Sequence, residues 1–130
     1  MKRNLLILSI VLSAFTSCQQ AKIKVLELSA EQTNKECPMV IDEVTQMDST
    51  AYDAATNTFS YYYTLSGVAD DPSMAETMKS KLEESVPEMI KQTEELKMFR
   101  EMEVTMDYIY LSKQTKEKLF TVTVIPDQYK

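Results

Sequence analysis

The sequence predicts an α+β domain in two layers, ordered β-β-α-β-β: an antiparallel four-stranded sheet with a kinked or broken helix on one face. Three observations carry this. The stretch Asp71 to Arg100 repeats apolar residues at spacings of three and four (Met74, Met78, Leu82, Val86, Met89, Ile90, Thr93), with Glu76, Lys79, Glu83, Lys91 and Glu94 on the opposite side. Two strand-like runs lie on each side of it. The clearer strands alternate apolar and polar residues, so each has one face to bury and one to leave wet.

Before the first strand pair, residues 21–28 (AKIKVLEL) mix charged and apolar side chains, which leaves tether and short strand both open. Ser29 and Gln32 have the spacing of a capping box, which points to a helix over Ala30 to Glu36. Cys37-Pro38 should end it, because the residue before proline avoids helical geometry.

Val44 to Tyr52 and Thr58 to Ser66 read as a hairpin across the polar turn Asp53 to Asn57. In the second run Phe59, Tyr61, Tyr63 and Leu65 alternate with Ser60, Tyr62, Thr64 and Ser66. In the first, Met47 and Ala51 stand against Gln46, Asp48 and Thr50, and so thin an apolar face suits a sheet edge. That edge is also the expected place for an added strand or a weak homodimer.

Ahead of the central helix, Asp70-Asp71-Pro72 suits a helix start, and Ser73 with Glu76 forms a second capping-box candidate. A single rod from Pro72 to Met98 would overhang strands of nine residues, and Ser85 with Glu88 repeats the capping spacing around Pro87. A break is therefore expected near Ser85 to Pro87. The second strand pair is Glu101 to Leu111 and Leu119 to Ile125. With helix on one side only, Ser60, Tyr62, Thr64, Glu103, Thr105, Asp107, Thr121 and Thr123 should share the open face.

Composition removes several function classes. The 130 residues contain no histidine, no tryptophan and one glycine, Gly67. Histidine is the usual proton shuttle of nucleophilic catalysis and the commonest zinc partner, and phosphate loops need several glycines. No catalytic, metal or cofactor site is expected; the acidic pairs Glu83-Glu84 and Glu94-Glu95 fit a solvated helix face. Fourteen basic against 20 acidic residues give a net charge of −6, and no basic stripe is present, so nucleic-acid binding is not expected.

The first residues read as an export signal: Lys2-Arg3, the apolar run Leu5 to Leu12, then small residues up to Cys18. The run is well short of the roughly 20 residues that span a bilayer. Thr16, Ser17 and Cys18 resemble the lipobox of bacterial lipoproteins, with Phe15 where an aliphatic residue is usual. The resemblance implies cleavage before Cys18 and diacylation of that residue. The expected organisation is then a signal peptide over residues 1–17, a lipidated tether over 18–28 and one α+β domain over 29–130. Removal of the signal takes Lys2 and Arg3 with it, leaving 12 basic residues against 20 acidic, a net of −8. Gln19-Gln20 lack the aspartate associated with inner-membrane retention, so the resemblance points to the outer membrane.

A further resemblance joins Asn34, Cys37-Pro38, Asp42, Thr45 and Asp48 to Phe59, Tyr61 and Tyr63. This pattern is similar to one in small exported bacterial proteins of unknown function, and it brings no catalytic residue. Cys37 is the only thiol left once Cys18 is lipidated; it reads first as a small buried hydrophobe and second as a redox or intermolecular thiol. Tyr62, on a polar strand face, is the expected aromatic contact, while most of the methionines are expected in the core. The expected function is a lipid-anchored, non-catalytic binding or structural module of the envelope, with an envelope protein as partner; the alternative is a thiol-dependent protein using Cys37.

Overall fold

A computed structural model describes residues 2–130, with side chains from Cys18 onward. The expected signal segment therefore lies outside the described side chains. Helix α1 (Lys2–Glu36) leads into the short strand β1 (Met39–Val40), then β2 (Thr45–Asp53) and β3 (Thr58–Leu65). Helices α2 (Pro72–Gln92) and α3 (Lys97–Glu101) follow, and β4 (Thr105–Ser112) and β5 (Lys118–Val124) complete the chain's sheet. The strands lie in the order β1-β2-β3-β4-β5.

The architecture is α+β, but the sheet is five-stranded and mixed. The two expected hairpins form, and they meet through β3 and β4, which run parallel from Thr58↔Thr105 to Leu65↔Ser112. The all-antiparallel expectation fails at this one seam. Parallel neighbours need a long crossover, and the helical stretch between β3 and β4 supplies it.

Helix α1 is the second departure. It runs through residues 21–28, and Ser29 sits inside it, its carbonyl accepting from the Thr33 hydroxyl at 2.9 Å instead of capping a new helix. Leu26 is 0% exposed and Ala30 6%, so the stretch expected as tether reaches into the core. The helix does stop before Cys37-Pro38, as the proline requires.

Strand β2 carries a register shift between Met47 and Ser49. One extra residue in a strand moves every later side chain to the other face. Met47 therefore lies opposite Tyr63 on the core face, but so does Thr50 opposite Tyr61, while Ala51 turns outward and is exposed. Thr50 was expected on the wet face and is 3% exposed. Its hydroxyl is satisfied by the Ala30 carbonyl at 3.1 Å.

The outer edge of β2 is closed. Strand β1 pairs with Gln46 and Met47, and the Asn34 side chain serves Thr50 as a partner strand would. The Asn34 amide donates to the Thr50 carbonyl at 2.9 Å and its oxygen accepts from the Thr50 N–H at 2.6 Å. An added strand cannot pair there without displacing both.

Helix α2 starts at Pro72 with Asp71 as its cap, accepting from the Ser73 N–H at 2.9 Å, two residues ahead of the expected Ser73. Pro87 does not break it. The hydrogen bond it forfeits is to Glu83, an exposed residue whose carbonyl water can satisfy, while buried Val86 and Ile90 hold the helix on either side. The break comes at Thr93, whose backbone is extended at φ −84°, ψ 115°. There Arg100 donates to the carbonyls of Ile90 at 2.8 Å and Thr93 at 2.6 Å, a cation on the negative end of the helix. Residues 101–104, expected as strand, instead close α3 and turn through Glu103, at φ +54°. On α2 the buried stripe is Val86 and Ile90 with Ala75, Met78 and Leu82; Met74 and Met89, expected in it, are 45% and 42% exposed.

Candidate functional site

Both helices lie on the face of the sheet that carries Phe59, Met106 and Val122, and their buried residues belong to one core. They do not lie side by side. Helix α1 packs along β2 and α2 along β5, so the middle strands β3 and β4 run between them. Three strand spacings of about 4.8 Å place the helix axes about 14 Å apart, where packed helices sit at about 8–10 Å. The result is a trough.

Its floor is aromatic. Tyr61 stacks on Tyr108 with ring centroids 4.9 Å apart and planes 8° from parallel. Tyr63 stacks on Tyr110 at 4.8 Å, and Tyr110 on Phe120 at 4.7 Å. These contacts follow from register, because Tyr61↔Tyr108 and Tyr63↔Tyr110 are directly opposed in the parallel seam. Phe59 and Leu65 at the ends of β3 are 1% exposed, but Tyr61 and Tyr63 between them are only partly buried. No protein hydrogen bond is made by the hydroxyls of Tyr61, Tyr63 and Tyr110 among the described residues, and no buried polar side-chain atom is left unsatisfied. Rings standing on edge hide their faces in one another and turn their hydroxyl rims to water.

The walls follow from helix geometry. Asn34 reaches out over the edge of β2, and Val25, about 180° around α1 from it at 100° per residue, turns inward over the trough. Helices α1 and α2 run antiparallel, since α1 leads into β1 beside the start of β2 and the end of β3, while α2 returns from the end of β3 to the start of β4. Two antiparallel right-handed helices on one face turn the same rotational side of their apolar stripes toward each other. On α2 that side holds Met74, Met78 and Met89. Val25, Met74 and Met89 are respectively 43%, 45% and 42% exposed. Flexible thioethers on rigid aromatic ground form a surface that can adapt to a partner.

Burial pushes the Tyr61 and Tyr110 phenols up to about 12, and those of Tyr63 and Tyr108 upward as well; for Tyr110 the nearby Asp42 carboxylate adds to the effect. The sign of the pH dependence is fixed by this. Below the ordinary value of 10.0 every phenol is neutral, folded or not; above it, the unfolded chain ionises first and is favoured. The urea midpoint should hold steady to about pH 9.5 and fall between about pH 10 and 12. An unchanged midpoint at pH 11 would contradict the buried stack.

The expected site residues are placed as follows. Cys18 is exposed on α1. Tyr62 lies partly buried on the open face beside Ile109 and opposite Ser49, away from the trough. Cys37 is partly buried near Tyr63, and its thiol is raised by burial first and then by the Asp48 and Glu36 carboxylates, which disfavours a reactive thiolate. The open face holds a shallow hollow of about 470 Å³ that includes Asp42, Asp48, Lys113 and Lys116. Two of its acids are already engaged, Asp48 by Thr64 at 2.5 Å and Gln46 at 2.9 Å, Asp42 by the Val44 N–H at 2.9 Å. No cluster of metal-ligating side chains occurs among the described residues. The residues that sequence reading missed are Met74, Met89 and Val25, whose exposure depends on the separation of two helices.

These features define a class of fold: helices on one face of a five-stranded mixed sheet, with a stacked aromatic row on its central strands. The chain belongs to the family DUF8479, a domain of unknown function, whose model matches residues 20–120. Among solved structures it is similar to a protein from Pseudomonas aeruginosa described as secreted, at 14% identity over 86% of this chain and 96% of that one, with a TM-score of 0.69. It is also similar to the type II secretion system pilotin AspS from Vibrio cholerae, at 8% identity over 88% of this chain and 98% of that one, TM-score 0.60. At such identities the likeness is one of fold. No curated protein matches the sequence.

Proposed function

We infer that the protein is a lipid-anchored, non-catalytic module of the bacterial envelope, held to the outer membrane through Cys18, that receives a segment of an envelope protein in the trough. The single observation that carries the reading is the partly exposed tyrosine floor between walls of exposed Met74, Met89 and Val25. Apolar surface gathered in a concave site is unusual for a chain of this charge and marks a contact surface. The lipobox resemblance and the fold shared with a secretion-system pilotin support the envelope setting. Among the described residues no helix is long and apolar enough to cross a membrane. Helix α1 continues from Cys18 to Leu26, the first fully buried residue among the described side chains, about 12 Å of rigid spacer at 1.5 Å per residue.

The test places a photo-crosslinking side chain at Met74, on the trough wall, or at Thr123, exposed on the open face. In intact envelopes the Met74 probe should form a discrete adduct, and Val25→Asp on the opposite wall should reduce it about tenfold while the protein stays folded. An adduct from Thr123, or one at Met74 indifferent to Val25→Asp, would place the contact elsewhere. Cys18→Ser should move the protein out of the membrane fraction; retention there would refute the anchor.

A further inference from the structure

The hollow on the open face of the sheet holds charges of both signs that do not meet. Its floor includes the row Gln46, Thr64 and Leu111, which crosses β2, β3 and β4 in register. One side is acidic: Asp48 beside Gln46, with Asp42 and Glu43 from the turn into β2. The other side is basic, with Lys113 and Lys116 from the turn after β4. Two strand spacings of about 4.8 Å set the sides about 10 Å apart. None of these five residues takes part in a salt bridge among the described residues.

The acidic side is held in place by the protein itself. Asp48 accepts from Thr64 and from Gln46, and Asp42 accepts from the Val44 N–H, a bond that keeps its carboxyl below the ordinary carboxylate range. An ionised carboxylate accepts up to about four hydrogen bonds, so both acids can still receive a donor. An ion of one sign gains little here. The Debye length in physiological salt is about 8 Å, close to the width of the hollow, so an ion drawn to one side still feels repulsion from the other. A molecule with an ammonium at one end and a carboxylate at the other is attracted by both. With about 3 Å for each hydrogen bond, about 4 Å remains between its charged groups, a spacing between those of an amino acid and an extended dipeptide. The volume of about 470 Å³ suits a small molecule, and Val40 and Leu111 offer contact to short aliphatic side chains.

We propose that this hollow binds the zwitterion of a short peptide with small aliphatic side chains, its ammonium toward Asp42, Glu43 and Asp48 and its terminal carboxylate toward Lys113 and Lys116. The hollow and the trough lie on opposite faces of the sheet, so either can fail without the other.

The probe is the dipeptide alanyl-alanine, titrated into the full chain and followed by amide NMR. Saturable shifts at millimolar dipeptide should map to Gln46, Thr64, Ser66 and Leu111. Acetylating its amine or amidating its carboxylate should each weaken binding about fivefold, the upper value for one exposed ion pair. The variants Glu43→Gln and Lys113→Gln/Lys116→Gln alter exposed side chains and test the two ends separately. The lysine variant should weaken the dipeptide about fivefold without weakening its amide, and Glu43→Gln should weaken the amide without weakening the acetylated form. Equal binding by all three forms, shifts centred on Tyr61 and Tyr63, or no saturable shift at tens of millimolar dipeptide would each overturn the proposal. So would acetate or methylammonium binding as tightly as the dipeptide, which would make the hollow a site for a single charge.

Discussion

Replacing Leu26 by alanine should destabilise the protein by about 3 kcal/mol, lowering its melting temperature by on the order of 10 °C. Leu26 is 0% exposed and packs in the same core as Phe59, Ile90 and Val122. The alanine loses the transfer free energy of the side chain and leaves a cavity that a docked helix cannot close without shifting along β2. Leu28→Ala, at a position 40% exposed two residues later, is the control and should cost under about 0.5 kcal/mol. Urea unfolding of both variants decides the matter. If the two changes cost the same, residues 18–28 are a tether and the docking of α1 begins later. A chain started at residue 29 should likewise unfold at lower temperature, since it lacks the core residue that fastens the helix.

The second large effect is expected at Asn34. Asn34→Ala removes the donor to the Thr50 carbonyl and the acceptor for the Thr50 N–H together, at a residue that is 3% exposed. Unsatisfied buried groups cost about 1–3 kcal/mol each; with water able to approach from the side of exposed Asn34, the expected total is about 2 kcal/mol. Asn34→Asp keeps the acceptor but points a carboxylate at the Thr50 carbonyl, so it should do no better at neutral pH and recover in part when protonated. The opened edge should also make self-association concentration-dependent in sedimentation velocity. A loss below about 0.5 kcal/mol, with no change in association, would show that the clasp is incidental.

The pattern that joins Asn34, Cys37-Pro38, Asp42 and Asp48 to the β3 aromatics has a physical basis. Asn34 closes the edge, Cys37-Pro38 ends α1, Asp42 fastens the turn into β2, and Asp48 sits at the register shift and binds Thr64. Phe59 buries one end of β3, and Tyr61 and Tyr63 build the trough floor. Most of these residues therefore hold the architecture, and the aromatic pair reaches the surface as well.

What the sequence determined by itself is whatever local patterning controls. The hairpin of β2 and β3 was legible because Phe59 to Leu65 alternates without interruption and Asp53 to Asn57 is polar. The end of α1 was legible because proline forbids its continuation. The apolar face of β4 and β5 was legible because Met106, Tyr108, Tyr110, Phe120, Val122 and Val124 keep a period of two. Three features were decided only in the tertiary structure. The face of Thr50 depends on one extra residue near Asp48, which nothing local announces in a strand so poor in apolar residues. The parallel seam depends on which strand of each hairpin the helical crossover brings together, and both orders satisfy the same alternation. The exposure of Met74, Met89 and Val25 depends on α1 and α2 standing over strands three apart. Periodicity tells a residue which side of its helix it occupies; only the distance to the next helix decides whether that side is core or a place for a partner.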